Sequence, residues 1–571
     1  MDSRSCEVDC NEARGFDNKK IIFLVVLALL IFGVRLLNIN EAIYDDEANF
    51  AFSLSNMDVF GFNQDYYSPQ PLNLIYKPFV ALFGLSTWIF RLVPLLFGII
   101  NTIFLYFFAR RNWGFKVAFW ATFLMLISLY PTLASLQFDA EGNIVMFSVM
   151  LMFFSYLEFE KLKGKYEFRR KALGYQILGG IGLGVAIISK YNSVCIVLVL
   201  AIYSLYKSKF DLKESFNDLF MIYLVGFLLF LSYVILGIIA SPSNWLNFIW
   251  VIGFDRYHGS RFGLMGIGMY LLWSTPLLFG FYVLGLFDWV KKNSLLMIWI
   301  SVTILFYTFI LSTAGSMDRY FMQTIPALAI LGGIYISRMK FNQKELMLGG
   351  VGVAIFTILM FLINLIDFKY VSRFAISYLS ELKNLNLNFL FSYTSASGPT
   401  FGVNFLTIFL TFGICFASLL LFLVFRKKYL KKSFMMIFLV VAIAFNIFLV
   451  SEYIFHPTGV DVSSSKNEMI EYVKAGSFSE PMFSTDTGVL WHFDPLYRFH
   501  RKNMVGVADN EVGTDISHVY DILDERDGGT LMIVNWPPLP LDSPVLEFRD
   551  RCVLDKKFFD GDYEVSSVYR C

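Results

Sequence analysis

Ile43-Tyr44-Asp45-Asp46-Glu47-Ala48 follows directly on the first long hydrophobic segment, residues 21–37. Three adjacent carboxylates stand at the edge of a bilayer, in a chain that is only 16% charged. Charge at a membrane boundary is costly unless solvated or paired, so the cluster is a candidate functional site. The same residues also suit a plainer task, because Asp45 or Asp46 can cap a helix over residues 50–57. The remainder of the chain weighs between the two.

At 571 residues the chain exceeds one ordinary domain. Apolar side chains make up 56%, 63 of them Phe, and mean hydropathy is +0.58. So little polar material cannot cover a soluble protein. The apolar runs are about 16 to 24 residues long, the length of helical spans rather than of barrel strands. A net charge of +1 argues against a nucleic-acid partner. The six cysteines make no metal-site pattern; Cys6 and Cys10 are an isolated C-x3-C, and Cys195 and Cys415 lie in apolar runs as core residues. No small-residue cleavage site follows residues 21–37, so that segment reads as a retained anchor.

Lys19-Lys20 hold the polar tail, residues 1–20, in the cytoplasm by the positive-inside rule. From Asn38 to Tyr76 there is no Lys or Arg, as expected of an external loop. Residues 72–83 are too few to span and lie along the interface. Further spans are read at 88–109, 117–136, a fourth ending at the basic loop around Lys161 and Lys171, then 173–188 and 194–206. The last two are short and flank Ser189-Lys190-Tyr191-Asn192; such interrupted segments often border an intramembrane cavity. Spans at 219–240, 268–290, 295–313, 320–336, 346–366, 401–425 and 434–450 complete thirteen. Every even-numbered span enters a basic loop, so the N-terminus is expected inside and the C-terminus outside.

The expected fold is therefore an α-helical polytopic membrane domain, residues 21–450, followed by an extracytoplasmic α/β domain, residues 451–571. The latter has short strand-like runs at 531–534 and 563–569. One helix is expected from the capping box Ser465-x-x-Glu468 and another near 515–524. Cys552 and Cys571 both fall here, where a disulfide is allowed.

On this topology the unusual charges gather on the outer side. They are Asp45, Asp46 and Glu47 in the first external loop and Asp139 and Glu141 in the second. Lys190 is in the third, Arg256, His258 and Arg261 in the fourth, and Asp318-Arg319 in the fifth. A carboxylate can deprotonate or orient an acceptor hydroxyl or amine. Cations can hold a phosphate and stabilise the charge on a leaving phosphate. A lipid-tailed substrate would explain a site within the membrane. Plainer alternatives stand beside each residue: Asp139 as a helix N-cap, Lys190 and Arg319 as cations reaching for headgroups, and His258, with Trp245 and Trp250, as part of an interfacial belt.

The chain resembles the GT-C superfamily of polyprenyl-phosphate-dependent glycosyltransferases, in particular the branch of aminoarabinose transferases and protein O-mannosyltransferases. The resemblance rests on Tyr44-Asp45-Asp46-Glu47-Ala48, Ser68-Pro69-Gln70-Pro71-Leu72 and Phe90-Arg91-Leu92-Val93-Pro94 with Arg110-Arg111. It continues with Phe138-Asp139-Ala140, Ser189-Lys190-Tyr191 and Arg319-Tyr320 followed by Pro326. It implies transfer of a sugar from a polyprenyl-phosphate donor to an acceptor lipid, glycan or protein on the outer face of the cell membrane. By the family pattern Asp46 is the general base or acceptor-orienting group, with Asp45 and Glu47 as neighbours or metal ligands. Asp139 and Glu141 hold the acceptor or a divalent metal. Lys190 and Arg319, with Arg256, His258 and Arg261, face the donor phosphate. Where aminoarabinose transferases carry a Glu-Lys pair ahead of proline, this chain has Pro69-Gln70, which argues against lipid A as the acceptor. The Trp-Trp-Asp signature of oligosaccharyltransferases is absent. The rival classes are a transporter or lipid flippase, which would place charges deep within several spans, and a non-catalytic scaffold.

Overall fold

Backbone polar groups in hydrocarbon must be satisfied internally, which leaves an apolar chain of this length few options besides packed helices. The computed structural model describes residues 14–44, 47, 48, 50, 51, 54, 71–240, 242, 245, 263–287, 293–310, 318–339, 341–371, 375–393, 401–494, 504–506, 517–526, 528–536, 538, 539 and 543–571. Among them nine helices are long and apolar enough to cross a membrane, beginning with Asn18–Asn38 and ending with Lys428–Phe455. Four shorter apolar helices, Phe115–Ile127, Tyr191–Lys207, Ser274–Phe287 and Ser294–Phe309, fall where the other four spans were expected. A fifth, Pro71–Phe83, is the segment read as interfacial. Thirteen residues of helix measure about 20 Å, against ~30 Å of hydrocarbon.

Burial separates centre from rim. The Arg319–Arg338 segment is 89% buried and Gly142–Leu162 is 78% buried, whereas Gln343–Asn364 is 11% buried and presents Leu, Ile and Val outward. Arg169–Ser189 wedges between Met146–Leu162 and Leu212–Ala240 through small residues. A Cβ on Gly182 would lie 2.8 Å from the Ser148 carbonyl oxygen, and one on Gly180 would lie 2.7 Å from that of Ile222. Close backbone approach of this kind is how helices pack in lipid. Arg169 to Lys171 belong to this helix, so the short segment expected at 173–188 is in fact 21 residues long.

Two expected spans are broken. The run over 117–136 stops at Ile127, turns at Ser128 and resumes as Leu129–Ala134. Gly263–Phe287 is interrupted at Thr275 (φ 60°), just before Pro276. Both interruptions meet Asn446 of the last membrane helix. Its Oδ1 accepts the Leu129 N–H at 3.1 Å, and its Nδ2 donates to Thr275 Oγ1 at 2.8 Å. One buried amide thus serves the ends of two other helices, where no water can.

The hairpin β1 (Leu390–Tyr393) and β2 (Phe401–Asn404) lies between the two domains, and β2 runs directly into helix Phe405–Val424. The span expected from residue 401 therefore opens with a strand. The C-terminal domain is built on β3 (Met482–Ser484), β4 (Met504–Gly506), β5 (Thr530–Val534), β6 (Val553–Asp560) and β7 (Tyr563–Arg570), in the spatial order β4-β3-β5-β7-β6. β3 is parallel to β4 and β5, and β7 is antiparallel to β5 and β6. Cys552 and Cys571 are disulfide-bonded across the open end of the β6–β7 hairpin. The second expected helix is Ser517–Arg526. The first is Val462–Ala475, and its cap is Asp461, whose carboxylate accepts the Ser464 N–H at 2.9 Å. Ser465, expected as the cap, lies buried within the first turns instead, because the apolar stripe begins at Val462.

Candidate functional site

Glu47 is fully buried, and four protein donors surround its carboxylate. Arg91 donates to both oxygens, with Nη2 to Oε2 at 2.8 Å. The Tyr44 N–H donates to Oε2 at 3.1 Å and the Phe138 N–H to Oε1 at 2.9 Å. Arg91 also donates to the Leu136 and Ala42 carbonyls, each at 2.8 Å. A planar guanidinium with a fork of donors suits such a junction. The pair therefore pins the segment after the first membrane helix to the turn ahead of Glu141–Val145: Tyr44 precedes Asp45-Asp46, and Phe138 precedes Asp139. Phe138 is itself held by aromatic neighbours, stacked on Phe90 at 4.8 Å and 4.5 Å from the Tyr76 ring.

Asp139 lies at the far side of that pin. Its carboxylate is 2.8 Å from Arg319 Nη1 and 3.9 Å from Lys190 Nζ, and it accepts the Ala140 N–H at 2.6 Å. All three charged side chains are nearly buried, at 5%, 5% and 13% exposure, so their attraction is weakly screened. The Lys190 ammonium also sits over the Tyr320 ring at 5.5 Å. Each contributor stands where helical regularity lapses. Asp139 precedes a π-turn, Glu141–Val145. Lys190 joins Arg169–Ser189 to the 3-10 turn Tyr191–Val194. Arg319 is on the 3-10 segment Asp318–Thr324. Such lapses free side chains from the lattice of a helix and recur at functional sites.

A polar network backs the two cations. Gln323 Nε2 donates to the Tyr307 hydroxyl at 2.7 Å and to the Tyr320 carbonyl at 3.2 Å, and the Tyr307 hydroxyl donates to the Asn192 carbonyl at 3.1 Å. It ties the Lys190 turn to the Arg319 segment. Cys195, read as a core residue, is buried beside it.

Of the residues singled out in the sequence, Glu47, Asp139, Lys190 and Arg319 are brought to this region. Asp45, Asp46, Arg256, His258 and Arg261 lie outside the described residues, as does the side chain of Glu141. Among the described residues no three His, Cys, Asp or Glu side chains come together as a metal would need. The partner that sequence reasoning passed over is Arg91, quoted only as part of a motif. Its signal was a cation inside the apolar run 88–109.

Glu41 lies within electrostatic reach of the Glu47–Arg91 pair. It is buried, accepts from Asn38 Nδ2, and burial pushes its carboxyl up to about 7 against the pull of Arg91, with Asp461 and Glu47 adding to the rise. An acid with a raised folded-state value contributes stability that is fully present below its unfolded value and lost as pH rises through the folded one. Thermal unfolding is thus expected at a lower temperature at pH 8 than at pH 5.5. Glu41→Gln should remove most of that difference. An unchanged pH dependence in melting scans of the variant would refute the assignment.

Residues 69–237 match the sequence model of the dolichyl-phosphate-mannose-protein mannosyltransferase family. No curated protein matches the chain. The structure is similar to that of ArnT from Cupriavidus metallidurans bound to undecaprenyl phosphate, at 16% identity, covering 96% of this chain and 97% of that one with a TM-score of 0.61. The apo form of the same protein matches with a TM-score of 0.59, over the same shares and at 16% identity. None of these matches lends weight to a transporter. The chain is a multi-pass membrane protein with the GT-C fold.

Proposed function

We propose that this GT-C-type membrane glycosyltransferase moves a sugar from a polyprenyl-phosphate donor to an acceptor hydroxyl or amine, with Asp46 as general base. The observation that carries the reading is the meeting of Asp139, Lys190 and Arg319, from three separate loops, beside the Glu47–Arg91 pin. The acceptor heteroatom bonds to the sugar's anomeric carbon as the carbon–oxygen bond to phosphate breaks. The acceptor proton passes to Asp46, and the departing polyprenyl phosphate takes the electron pair. Lys190 and Arg319 stabilise that phosphate. Asp139, already shared between the two cations, orients them. Glu47 acts by position, since its lone pairs are taken up by Arg91 and two backbone amides. Arg256, His258 and Arg261 remain proposed donor contacts, Glu141 a proposed acceptor or metal contact, and Asp45 a proposed neighbour of Asp46 or metal ligand.

Charge and redox chemistry together support the proposed face. Basic residues such as Arg110, Arg111, Lys161, Arg426 and Lys427 gather at the helix ends of what is proposed as the cytoplasmic side. The C-terminal domain, proposed to lie on the other side, carries a disulfide, as suits an oxidising, extracytoplasmic compartment. The cell membrane is the proposed location.

The test is transfer from labelled polyprenyl-phosphate sugars in membranes containing the full chain. Asp46→Asn is expected to lower turnover at least about 100-fold, the scale of a lost general base. Full activity in a folded Asp46→Asn chain would overturn the assignment. Running the assay with pentosyl and hexosyl donors decides the sugar class.

A further inference from the structure

Lys466, in the C-terminal domain, is fully buried. Its ammonium donates to the Ile43 carbonyl and lies 2.6 Å from Asp486 Oδ2, and it sits over the Tyr44 ring at 4.3 Å. Two of these three partners belong to the first external loop, 423 residues away. Asp486 is held in turn by the Gly488 N–H at 2.7 Å. Gly488 presses on the same loop, since a Cβ there would lie 2.0 Å from the Ile43 carbonyl oxygen. Ser463 Oγ accepts the Ala42 N–H at 2.9 Å. Residues 42, 43 and 44 are thus each gripped from the C-terminal side, while Arg91 and Glu47 hold Ala42 and Tyr44 from the membrane side.

A domain that merely covered the membrane cavity would have no reason to bury a lysine against a loop carbonyl. Burying an ammonium is costly and is retained only where its partners are exact in place. We infer that the C-terminal domain is a positioning unit of the transferase: Lys466, Asp486 and Gly488 lock Ile43 and Tyr44, and so set the backbone from which Asp45 and Asp46 extend. The inference rests on the reading of Asp46 as the reacting carboxylate. Lys466 and Gly488 are positioning residues that act through the loop. The sequence carries a signal for Lys466, which interrupts the apolar stripe Val462, Met469, Ile470 and Val473 at helical spacing.

The experiment uses the full chain in lipid nanodiscs, comparing wild type with Lys466→Met and Gly488→Ala. Deuterium uptake of a peptide covering residues 41–48 is expected to speed at least about tenfold in both variants, with uptake over Ile325–Arg338 unchanged. Transfer from a labelled polyprenyl-phosphate sugar is expected to show kcat lowered about 10- to 100-fold, with KM for the donor within about threefold of wild type. That split separates a misplaced loop from general loss of structure. If Lys466→Met does not accumulate, Gly488→Ala and Ser463→Ala carry the same readouts. Unchanged uptake at 41–48 overturns the clamp, whatever the activity. Faster uptake with unchanged kcat overturns its role in positioning. A wild-type chain that transfers no sugar refutes the function proposed above, and the uptake result then decides the clamp alone.

Discussion

Arg91→Met is expected to destabilise the protein by about 3–5 kcal/mol and to abolish sugar transfer. The substitution leaves Glu47 charged and buried, with only the Tyr44 and Phe138 amides to meet it. It also strips a donor from the Ala42 and Leu136 carbonyls. Removing one member of a buried ion pair costs far more than removing both, because the survivor keeps its desolvation penalty. The double variant Glu47→Gln, Arg91→Met is therefore expected to melt closer to wild type than Arg91→Met does, while remaining poor in transfer because the two loops are no longer pinned. Thermal unfolding in detergent, paired with the transfer assay, reads both effects. A wild-type melting temperature for Arg91→Met would remove the pin from the account.

The second large effect is expected at the cations. Arg319→Ala with Lys190→Ala should weaken binding of the bare polyprenyl phosphate at least about 100-fold, or roughly 3 kcal/mol, as two charge-assisted contacts to phosphate are lost. Asp139→Asn is expected to weaken it less, because both cations remain and lose only the group that orients them. Titration with a fluorescent polyprenyl phosphate measures all three constants. Unchanged affinity in the double variant would sink the donor-phosphate assignment. Tighter binding by Asp139→Asn would show instead that Asp139 competes with phosphate for the same cations.

Much of the fold was legible because a bilayer imposes a length and a charge rule that single residues report directly. The long helices, the short apolar helix 71–83 and the change of composition near residue 451 all follow from hydropathy and basic loops. The helix break at Ser128 was not legible, and the one at Thr275 was marked only by Pro276. Hydropathy runs on across both, and the groups that make them tolerable belong to Asn446, remote in the chain. The site divides in the same way. Asp139, Lys190 and Arg319 stood out as charges in external turns, and they meet. Arg91 and Lys466 were harder to read, because each lies inside an apolar pattern and its partner is distant. Glu47 read as a supporting neighbour of Asp46 or a metal ligand, and only its four donors set it apart.

Asn446 carries an implication for how the molecule is made. Membrane helices leave the ribosome in order, and this amide sits in the last of them. Until it arrives, the interruptions at Leu129 and Thr275 must wait for their partner, one of them for 317 residues of synthesis. The early helices can enter the bilayer on hydropathy alone, but their final packing is deferred. Completion of the chain thus acts as a timer on assembly, and a product truncated before residue 446 would keep two helix ends unsealed within lipid.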